Sequence, residues 1–380
     1  MANTESVQTG KRKFRLRHRG RVSQVRIYLG KLLRMFIYQN DWKVLPMAAL
    51  IAALVSMVIR VDFFLSMEGD LMGAFSMTCV AIWNGCFNSI QAICRERTII
   101  KREHRSGMHI TSYIGAHMIY QALLCAAQTV ITLYVCLLMG VMFPDEGMIT
   151  NSFLLDLSIT IFLISYASDI LSLWISSICH STTAAMTVMP FVLIFQLVFS
   201  GGIFPLPEWT DSISGLTISN YGLKCIAAQS GYNTAPMTVG WEMIEKQRDN
   251  ELEVTITMGD VLNLVADKDN PTVSAIRGRT LWGEVTAGEV LDQLVTELEL
   301  EKYRDESLTL TAKVGQLLDL AGEDQVRDFV TTTTAKSGRV EAYESTVENV
   351  VNYWIRLFLF VLVFALFSVV SLEFIDKDRR

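Results

Sequence analysis

Six long apolar segments, separated by polar or charged stretches, dominate the pattern of the chain. Each is long enough to supply the roughly 20 apolar residues that a helix needs to cross a bilayer. They lie at residues 43–65, 71–94, 110–142, 152–179, 183–204 and 351–374. The pattern predicts an α-helical integral membrane protein with six transmembrane helices.

A shorter amphipathic segment precedes the first apolar one. Between Arg21 and Gln39 apolar side chains recur close to helical spacing, and Arg26, Lys31 and Arg34 interrupt them on the other face. This pattern predicts a helix that lies in the membrane interface at the end of a basic region, residues 1–42. A soluble helix packed on a partner protein is the alternative explanation.

One large hydrophilic block, residues 231–349, separates the fifth apolar segment from the sixth. It combines an alternating segment, LEVTITM, with one of helical periodicity, TAGEVLDQLVTELELEKYRDE, so we expect a small α+β domain. Residues 255–267 and 311–323 share a strand, glycine, helix pattern in which Gly259 matches Gly315. Either an internal duplication or chance similarity would account for this match.

The distribution of charge predicts which segments face the cytoplasm. Residues 1–43 carry eleven Lys or Arg and two Asp or Glu, and residues 95–105 carry five and two. Cytoplasmic loops are enriched in Lys and Arg, so both regions are expected on that side. Residues 350–380 are then the sixth span and a short tail that six crossings return to the cytoplasm. The block 231–349, with eleven basic and 23 acidic residues, is then extracytoplasmic.

The cysteines and glycosylation signals give a weaker indication of source. All seven cysteines lie outside the acidic block, and the chain has no Asn-x-Ser/Thr sequon. An extracytoplasmic domain without disulfides or glycosylation acceptors favours a bacterial plasma membrane.

Polar side chains also occur within the apolar segments. Asn84, Asn88 and Gln91 are spaced i, i+4, i+7 and are expected on one helix face, and Asp169 is an intramembrane carboxylate. Polar groups in lipid are costly, so these side chains should face protein or water. Hydrogen bonding between helices is one explanation, and the lining of a polar cavity is the other. A neutral Asp169 bonded to Asn88 or Gln91 is one expectation.

A dense run of charges, RERTIIKREHR at residues 95–105, separates the second apolar segment from the third. On a helix Arg97, Lys101 and His104 lie on one side. Glu96 and Glu103 are then expected to pair with Lys101, Arg102 or neighbours one turn away. Charge alone does not distinguish a solvated loop from a docking helix.

This run and the residues after it resemble a known family. The stretch from Arg95 through REHRSGMHITSY resembles the loop after the second span in ATP-binding-cassette (ABC) permeases of the white/pleiotropic-drug type, the type V exporter fold with an ABC-2 type membrane domain. The matching positions are Glu96, Arg97, Arg102, Glu103, Gly107, Ser112 and Tyr113. The family's usual aromatics are replaced by Ile99 and Ile100 before the Arg-Glu pair and by His109 after the glycine.

The resemblance implies a role for the charged run. In the family this segment forms a coupling helix that docks on the nucleotide-binding domain. It implies an ATPase-coupling set at residues 95–107, which comprises Glu96, Arg97, Lys101, Arg102, Glu103, Arg105 and Gly107.

A second similarity covers residues 199–229, FSGGIFPLPEWTDSISGLTISNYGLKCIAAQ. It resembles the end of the family's fifth span, where a re-entrant pair of short helices, here within 201–230, ends in Tyr-Gly-Leu. Non-helical backbone at membrane depth must be buried in protein, so Gly201, Gly202, Pro205 and Pro207 suit a packed turn. By analogy with the family's central cavity, Gln196 and Phe199 join the candidate pathway residues.

The family implies a permease subunit of an ATP-driven exporter. Its partners would be a separate nucleotide-binding subunit that holds ATP and Mg, a second permease copy or homologue, and membrane lipid. The sequence has no G-x-x-x-x-G-K-[ST] phosphate loop, so this chain is not expected to hydrolyse ATP itself. No catalytic or metal-binding constellation is evident in the sequence.

Other functions are weighed against this one. The basic first 43 residues could indicate nucleic-acid binding. Attraction to anionic lipid at the membrane surface is the simpler explanation. The competing class is a membrane-anchored sensor or scaffold whose outer domain binds a ligand or an envelope partner. A secondary transporter has less support, because only one intramembrane acid and no clear repeat of the spans are visible.

Overall fold

The structure is a computed structural model that describes residues 20–39, 41–202, 208–267, 271–282 and 285–374. It divides into two compact units. Unit 1 comprises the described parts of Met1–Phe64, Gly69–Gly231 and Ala342–Arg380. Unit 2 comprises the described parts of Leu65–Glu68 and Tyr232–Glu341.

Unit 1 is built from helices. In chain order its helices are α1 (Arg21–Tyr38), α2 (Val44–Ile59), α3 (Met67–Ser89, whose first two residues count with unit 2), α4 (Ala92–Arg105), α5 (Ile110–Leu138), α6 (Phe153–Ile178), α7 (Thr182–Val198), α8 (Asp211–Ser214), α9 (Ile218–Ser230) and, after the helices of unit 2, α16 (Val347–Glu373).

Unit 2 combines short helices with two small sheets. Its elements are α10 (Val239–Lys246), β1 (Glu251–Thr257), α11 (Met258–Ala266), α12 (Pro271–Arg277), β2 (Thr280–Trp282), β3 (Val285–Thr286), α13 (Ala287–Glu297), β4 (Ser307–Lys313), α14 (Val314–Ala321) and α15 (Glu323–Ser337). The strands β1 and β4 pair antiparallel, from Glu251 opposite Lys313 to Thr257 opposite Ser307. The strands β2 and β3 form a separate antiparallel pair.

Four helical segments of the described chain are long and apolar enough to cross a membrane: Asp41–Ile59, which contains α2, and the helices α5, α6 and α16. They match four of the six predicted spans. The window 183–204 yields only the 17-residue α7, because the helix stops before Gly201 and Gly202. The window 71–94 falls largely on α3, which does not meet the same criterion, since polar residues are interspersed along it and Glu68 and Asp70 lie in its first turn.

The helix α6 lies at the centre of unit 1. It is the most buried of the four apolar segments, and it packs against α4, α5, α7, α9 and α16. Small side chains on α6, among them Ser165, Ser168 and Ser172, are buried. Small residues let helix backbones approach closely in a membrane. At Gly85 of α3 an added Cβ atom would overlap the backbone carbonyl oxygen of Ser165, so these two helices are in direct backbone contact.

The segment after α7 begins with two closely packed glycines and, beyond residues 203–207, continues into a pair of short helices. Gly201 has a φ of +79°, and Gly202 lies so close to the ring of Phe75 that a Cβ atom would come within 2.6 Å of it. Pro205 and Pro207 lie outside the described residues. The helices α8 and α9 follow. The predicted end of this pair was wrong, because Tyr221-Gly222-Leu223 lies in the first half of α9 rather than at its end.

We predict that Gly85→Ala destabilises unit 1, because the methyl group would force α3 away from α6. Overpacking of this kind costs about 1–3 kcal/mol. The expected result is a lower yield of monodisperse protein in detergent and a lower temperature of thermal unfolding.

Gly115→Ala is the matched control for this substitution. Gly115 also lies inside a helix, but the nearest atom to its added Cβ would be a methyl carbon of Val25 at 3.9 Å, an ordinary contact. Alanine also favours helix over glycine. Equal losses in both variants would contradict the close packing of α3 on α6.

Candidate functional site

The charged run is a helix with one buried side. On α4 the side chains of Ile93, Cys94 and Ile100 are buried, and Glu96 is buried beside them. The exposed positions follow helical spacing along the other side and are Arg95, Thr98, Ile99, Arg102 and Arg105. The helix α4 therefore has an inner face that packs on the other helices of unit 1 and a mainly cationic outer face.

The beginning of α4 and the end of α6 satisfy each other's backbone groups. The hydroxyl oxygen of Ser176 accepts hydrogen bonds from the backbone N–H groups of Ile93 (3.1 Å) and Cys94 (3.2 Å). In return, Nη1 of Arg97 donates to the carbonyl oxygens of Ser177 (2.7 Å) and Cys179 (3.2 Å). Helix ends leave such groups without partners inside the helix. A cation at the carboxyl end of α6 also interacts favourably with its dipole.

A salt bridge joins α4 to α1. Nζ of Lys31 lies 2.9 Å from Oε2 of Glu96, and the two side chains are 33% and 9% exposed. The hydroxyl of Tyr113 donates to the same carboxylate at 3.5 Å. Because Glu96 is almost fully buried, removal of its partners would leave a charge that water cannot solvate well. Glu96 thus fixes α4 to both α1 and α5.

A second acidic residue of α4 also binds α1. The hydroxyl of Tyr28 donates to Oε2 of Glu103 at 3.0 Å, and the Tyr28 ring packs edge-on against Tyr113 with 5.6 Å between centroids. Burial and the neighbouring charge of Glu103 raise the pKa of Tyr28 above its usual range. The phenol therefore stays protonated and remains a hydrogen-bond donor.

The turn after α4 is held by one residue of α1. Gly107 has a φ of +101°, a left-handed conformation that favours glycine. Gln24 bridges the turn: its Nε2 donates to the carbonyl of Gly107 at 3.3 Å, and its Oε1 accepts from the N–H of His109 at 3.0 Å. Both ends of α4 are therefore attached to neighbouring helices.

The structure shows partners of the two α4 acids on α1, in addition to the pairing expected within α4. Glu96 pairs with Lys31 of α1, and Glu103 accepts a hydrogen bond from Tyr28, which also belongs to α1. These partners lie far away in the sequence, and the pairing with Lys101, Arg102 or neighbours on α4 itself stays a prediction. Of the seven residues in the coupling set, Glu96, Arg97 and Glu103 face inward, Arg102 and Arg105 are exposed, Lys101 is half-buried, and Gly107 forms the turn.

A polar cluster lies between α3, α5 and α6. Asn88 and Gln128 exchange amide hydrogen bonds of 2.8 and 3.0 Å. Asn88 also donates to Oδ2 of Asp169 at 3.3 Å, as does the thiol of Cys125 at 3.3 Å. Asp169 is fully buried, and its Oδ1 has no partner among the described residues. Of the two expected partners of Asp169, the structure places Asn88 beside it.

The expectation that Asn84, Asn88 and Gln91 share one continuous helix face was wrong. The helix α3 ends at Ser89, and Gln91 lies in the short break before α4. Next to this break the Ser89 hydroxyl donates a hydrogen bond to the backbone carbonyl of Asp169 at 2.5 Å, which attaches the end of α3 to α6. Asn84 is buried, whereas Gln91 is exposed.

Asn88 and Gln91 both line a cavity of about 230 Å³ beside the start of α4. His117 and Gln121 of α5 line this cavity, are buried, and carry polar atoms without a partner among the described residues. Glu96 also lines it. The cavity has a mixed polar and apolar lining and is large enough for several water molecules or a small polar group. It lies directly behind the inner face of α4.

The two candidates in the fifth apolar segment lie elsewhere in unit 1. The side-chain oxygen of Gln196 accepts from the N–H of Ser219 at 3.1 Å, and its backbone carbonyl accepts from the Ser219 hydroxyl. Phe199 packs on Phe195 with 4.9 Å between ring centroids. Gln196 thus connects α7 to α9, whereas Asn88 and Asp169 form a separate cluster.

We predict that Lys31 and Glu96 couple energetically. In a double-mutant cycle with Lys31→Met and Glu96→Gln, the interaction energy should be about 1 kcal/mol or more, because the carboxylate is shielded from water. Unfolding of the purified protein in detergent would measure each corner of the cycle.

The pair Arg95 and Asp41 provides the control cycle. Its charges lie 3.7 Å apart, with side chains 44% and 35% exposed. Exposed pairs of this kind contribute little, so the expected interaction energy is below about 0.5 kcal/mol. Similar energies in the two cycles would show that Glu96 does not anchor α4.

Comparison with known proteins identifies the family of the chain. The sequence matches the ABC-2 type transporter family over residues 11–228, more than half of its length. The ABC transporter ATP-binding/permease protein Rv1747 of Mycobacterium tuberculosis (strain ATCC 25618 / H37Rv) is 30% identical over 151 residues, which are 39% of this chain and 17% of that protein. This chain therefore matches less than a fifth of its relative's length. With its apolar helices and this match, the chain is a multi-pass membrane protein and belongs to the ABC-2 type transporter family.

Proposed function

We propose that this chain is the permease subunit of an ATP-driven exporter and that the outer face of α4 binds a separate nucleotide-binding subunit. The observation that carries the proposal is the division of α4 into two faces. Arg102 is exposed on the outer face, whereas Glu96 and Arg97 attach the inner face to α1 and α6. A helix attached in this way transmits a push on its outer face to the helices behind it.

The family and the relative support an ATP-binding partner. Membrane domains of the ABC-2 family work with ATP-binding partners, and the relative's name joins an ATP-binding part with a permease part. The present sequence has no phosphate-binding loop. ATP and Mg are therefore assigned to the partner subunit.

The mechanism we propose is alternating access. ATP binding closes two nucleotide-binding subunits, and their movement displaces α4 together with the ends of α1 and α6. Hydrolysis then resets the cycle. The short helix α7 and the polar helix α3 complete six spans in this arrangement, with both termini and α4 in the cytoplasm of a bacterial plasma membrane and residues 231–349 outside.

A complete pathway requires a second permease, either an identical copy or a homologue. Asn84, Asn88, Gln91 and Asp169 are assigned to one part of the pathway, and Gln196 and Phe199 to another. Oδ1 of Asp169, which has no hydrogen-bond partner among the described residues, supports a polar role at the first of these positions. The cargo class stays open in this proposal.

The test is co-purification of an ATPase with the tagged, detergent-solubilised chain from its native membrane. We predict that Arg102→Glu lowers the recovered ATPase at least tenfold, because it reverses an exposed charge without touching the inward anchors. Mass spectrometry and ATP turnover of the purified material give the readout.

Arg26→Glu is the matched control, since it makes the same charge change at an exposed position of α1. It should leave the recovered ATPase unchanged. If the wild-type chain recovers no nucleotide-binding protein under conditions that preserve complexes, the permease proposal fails and a membrane-anchored sensor or scaffold becomes the better explanation. If both charge reversals lower recovery equally, the docking surface is not specific to α4.

A further inference from the structure

The cavity behind α4 contains buried polar atoms that have no partner among the described residues. Its volume is about 230 Å³, and the helices α1, α4 and α5 of unit 1 all contribute to its wall. His117 and Gln121 line it and are only 2% and 1% exposed. Both ring nitrogens of His117 and the Oε1 atom of Gln121 are the unpaired atoms. Buried polar groups in proteins are nearly always hydrogen-bonded, so these three atoms point to a molecule that enters the cavity.

The unpaired atoms define the kind of group that fits them. The Oε1 atom of Gln121 only accepts hydrogen bonds, whereas a neutral imidazole donates from one ring nitrogen and accepts at the other. A complete partner therefore offers two O–H or N–H donors and one acceptor. His117 and Gln121 lie one turn apart on α5 and are neighbours on one face of the helix. Two adjacent hydroxyl groups supply this set.

The charged side chains of the described lining already have partners. Glu96 pairs with Lys31 of α1 at 2.9 Å. Nη2 of Arg95 lies 3.7 Å from Oδ2 of Asp41, and both of these residues line the cavity. A further charge that entered this space would lose water without gaining an ionic partner. The cavity therefore favours an uncharged ligand.

The rest of the wall is mainly apolar. Leu32, Val44 and Leu124 line it. Phe87 and Met186 line it as well and are 48% and 39% exposed, so they mark a side on which the cavity opens. Since a cavity of about 150 Å³ holds a benzene molecule, this one has room for about nine non-hydrogen atoms. Its occupant thus combines a polar end with a short apolar body.

We propose that this cavity binds an uncharged molecule that carries two adjacent hydroxyl groups on a short apolar body, and that the hydroxyls bond to His117 and Gln121. A free diol and the glycerol end of a monoacylglycerol share this chemistry. The occupant lies against Glu96, the residue that fixes α4 to its neighbours. Although Asn88 and Gln91 also belong to the pathway assigned above, the site does not depend on the proposed function.

The experiment measures how fast a thiol at the cavity is alkylated. Ala92 lines the cavity and is partly exposed, so Ala92→Cys places a thiol there in the full chain, purified into nanodiscs. N-ethylmaleimide is added with and without hexane-1,2-diol. Tandem mass spectrometry distinguishes residue 92 from the native Cys94. We expect a saturating concentration of the diol to slow alkylation at least fivefold, because the bound molecule blocks access.

Related probes define which part of the ligand is recognised. Hexan-1-ol offers a single hydroxyl group, and hexylamine and hexanoate carry a charge, so each should slow alkylation less than twofold. A monoacylglycerol incorporated into the nanodiscs distinguishes the two sources of the diol group. Protection by this lipid as well identifies a membrane component as an occupant, whereas protection by hexane-1,2-diol alone identifies a free diol.

Substitutions at the polar end test the two binding residues. His117→Leu and Gln121→Leu each remove unpaired atoms without adding a charge, and each should abolish protection by the diol. His117→Gln keeps a donor and an acceptor and should retain most of it. The comparison among probes needs none of these substitutions, so it still tests the site if one of the variants does not fold.

Thr98→Cys is the matched control, because Thr98 is exposed on the outer face of α4. Equal slowing at residues 92 and 98 overturns the site, since the diol then acts on the reagent or the membrane. A residue 92 that is not alkylated, or that no probe protects, overturns it too and indicates a cavity that holds only water. Co-purification of the ATPase is measured on separate samples, so the failure of this site and the failure of the proposed function are distinguishable.

Discussion

The junction between the end of α6 and the beginning of α4 is the constraint on which the rest of unit 1 depends. The last carbonyls of α6 and the first N–H groups of α4 would lack partners near the membrane, where an unpaired group is costly. Ser176 and Arg97 satisfy both sets at once. Because α6 contacts most other helices of unit 1, α4 is joined directly to the helix at the centre of the bundle.

Much of the helical framework follows from hydrophobic periodicity, but the inner face of α4 does not. Periodicity locates α1, α2, α5, α6 and α16, since each depends on residues close in sequence. Lys31 and Glu96 lie 65 residues apart, and their pairing depends on how α1 packs on α5. The break of α3 before Gln91 lies beside a tertiary hydrogen bond from the Ser89 hydroxyl to the carbonyl of Asp169, and a helical wheel contains no such contact.

Unit 2 illustrates a similar limit, because an arginine covers the second residue of three of its helices: Arg304 covers Gly259, Arg277 covers Gly288 and Arg248 covers Gly315. Gly259 and Gly315 are recognisable in the sequence because each follows an alternating strand pattern. Gly288 escapes this comparison, since the short pair of β2 and β3 precedes its helix in place of a long alternating strand. Only the shared position of the covering arginines shows that Gly288 belongs to the same set.

The unequal exposure of the two faces of α4 has a consequence for ionic strength. Dissolved ions screen exposed charges over about 8 Å at physiological salt, whereas shielded pairs are screened much less. Arg102 faces solvent, but Glu96 is only 9% exposed at the side chain. Concentrated salt should therefore release an electrostatically bound partner from α4 while α4 stays packed on its neighbouring helices. The salt concentration of the washing buffer then decides which assembly is isolated from the membrane.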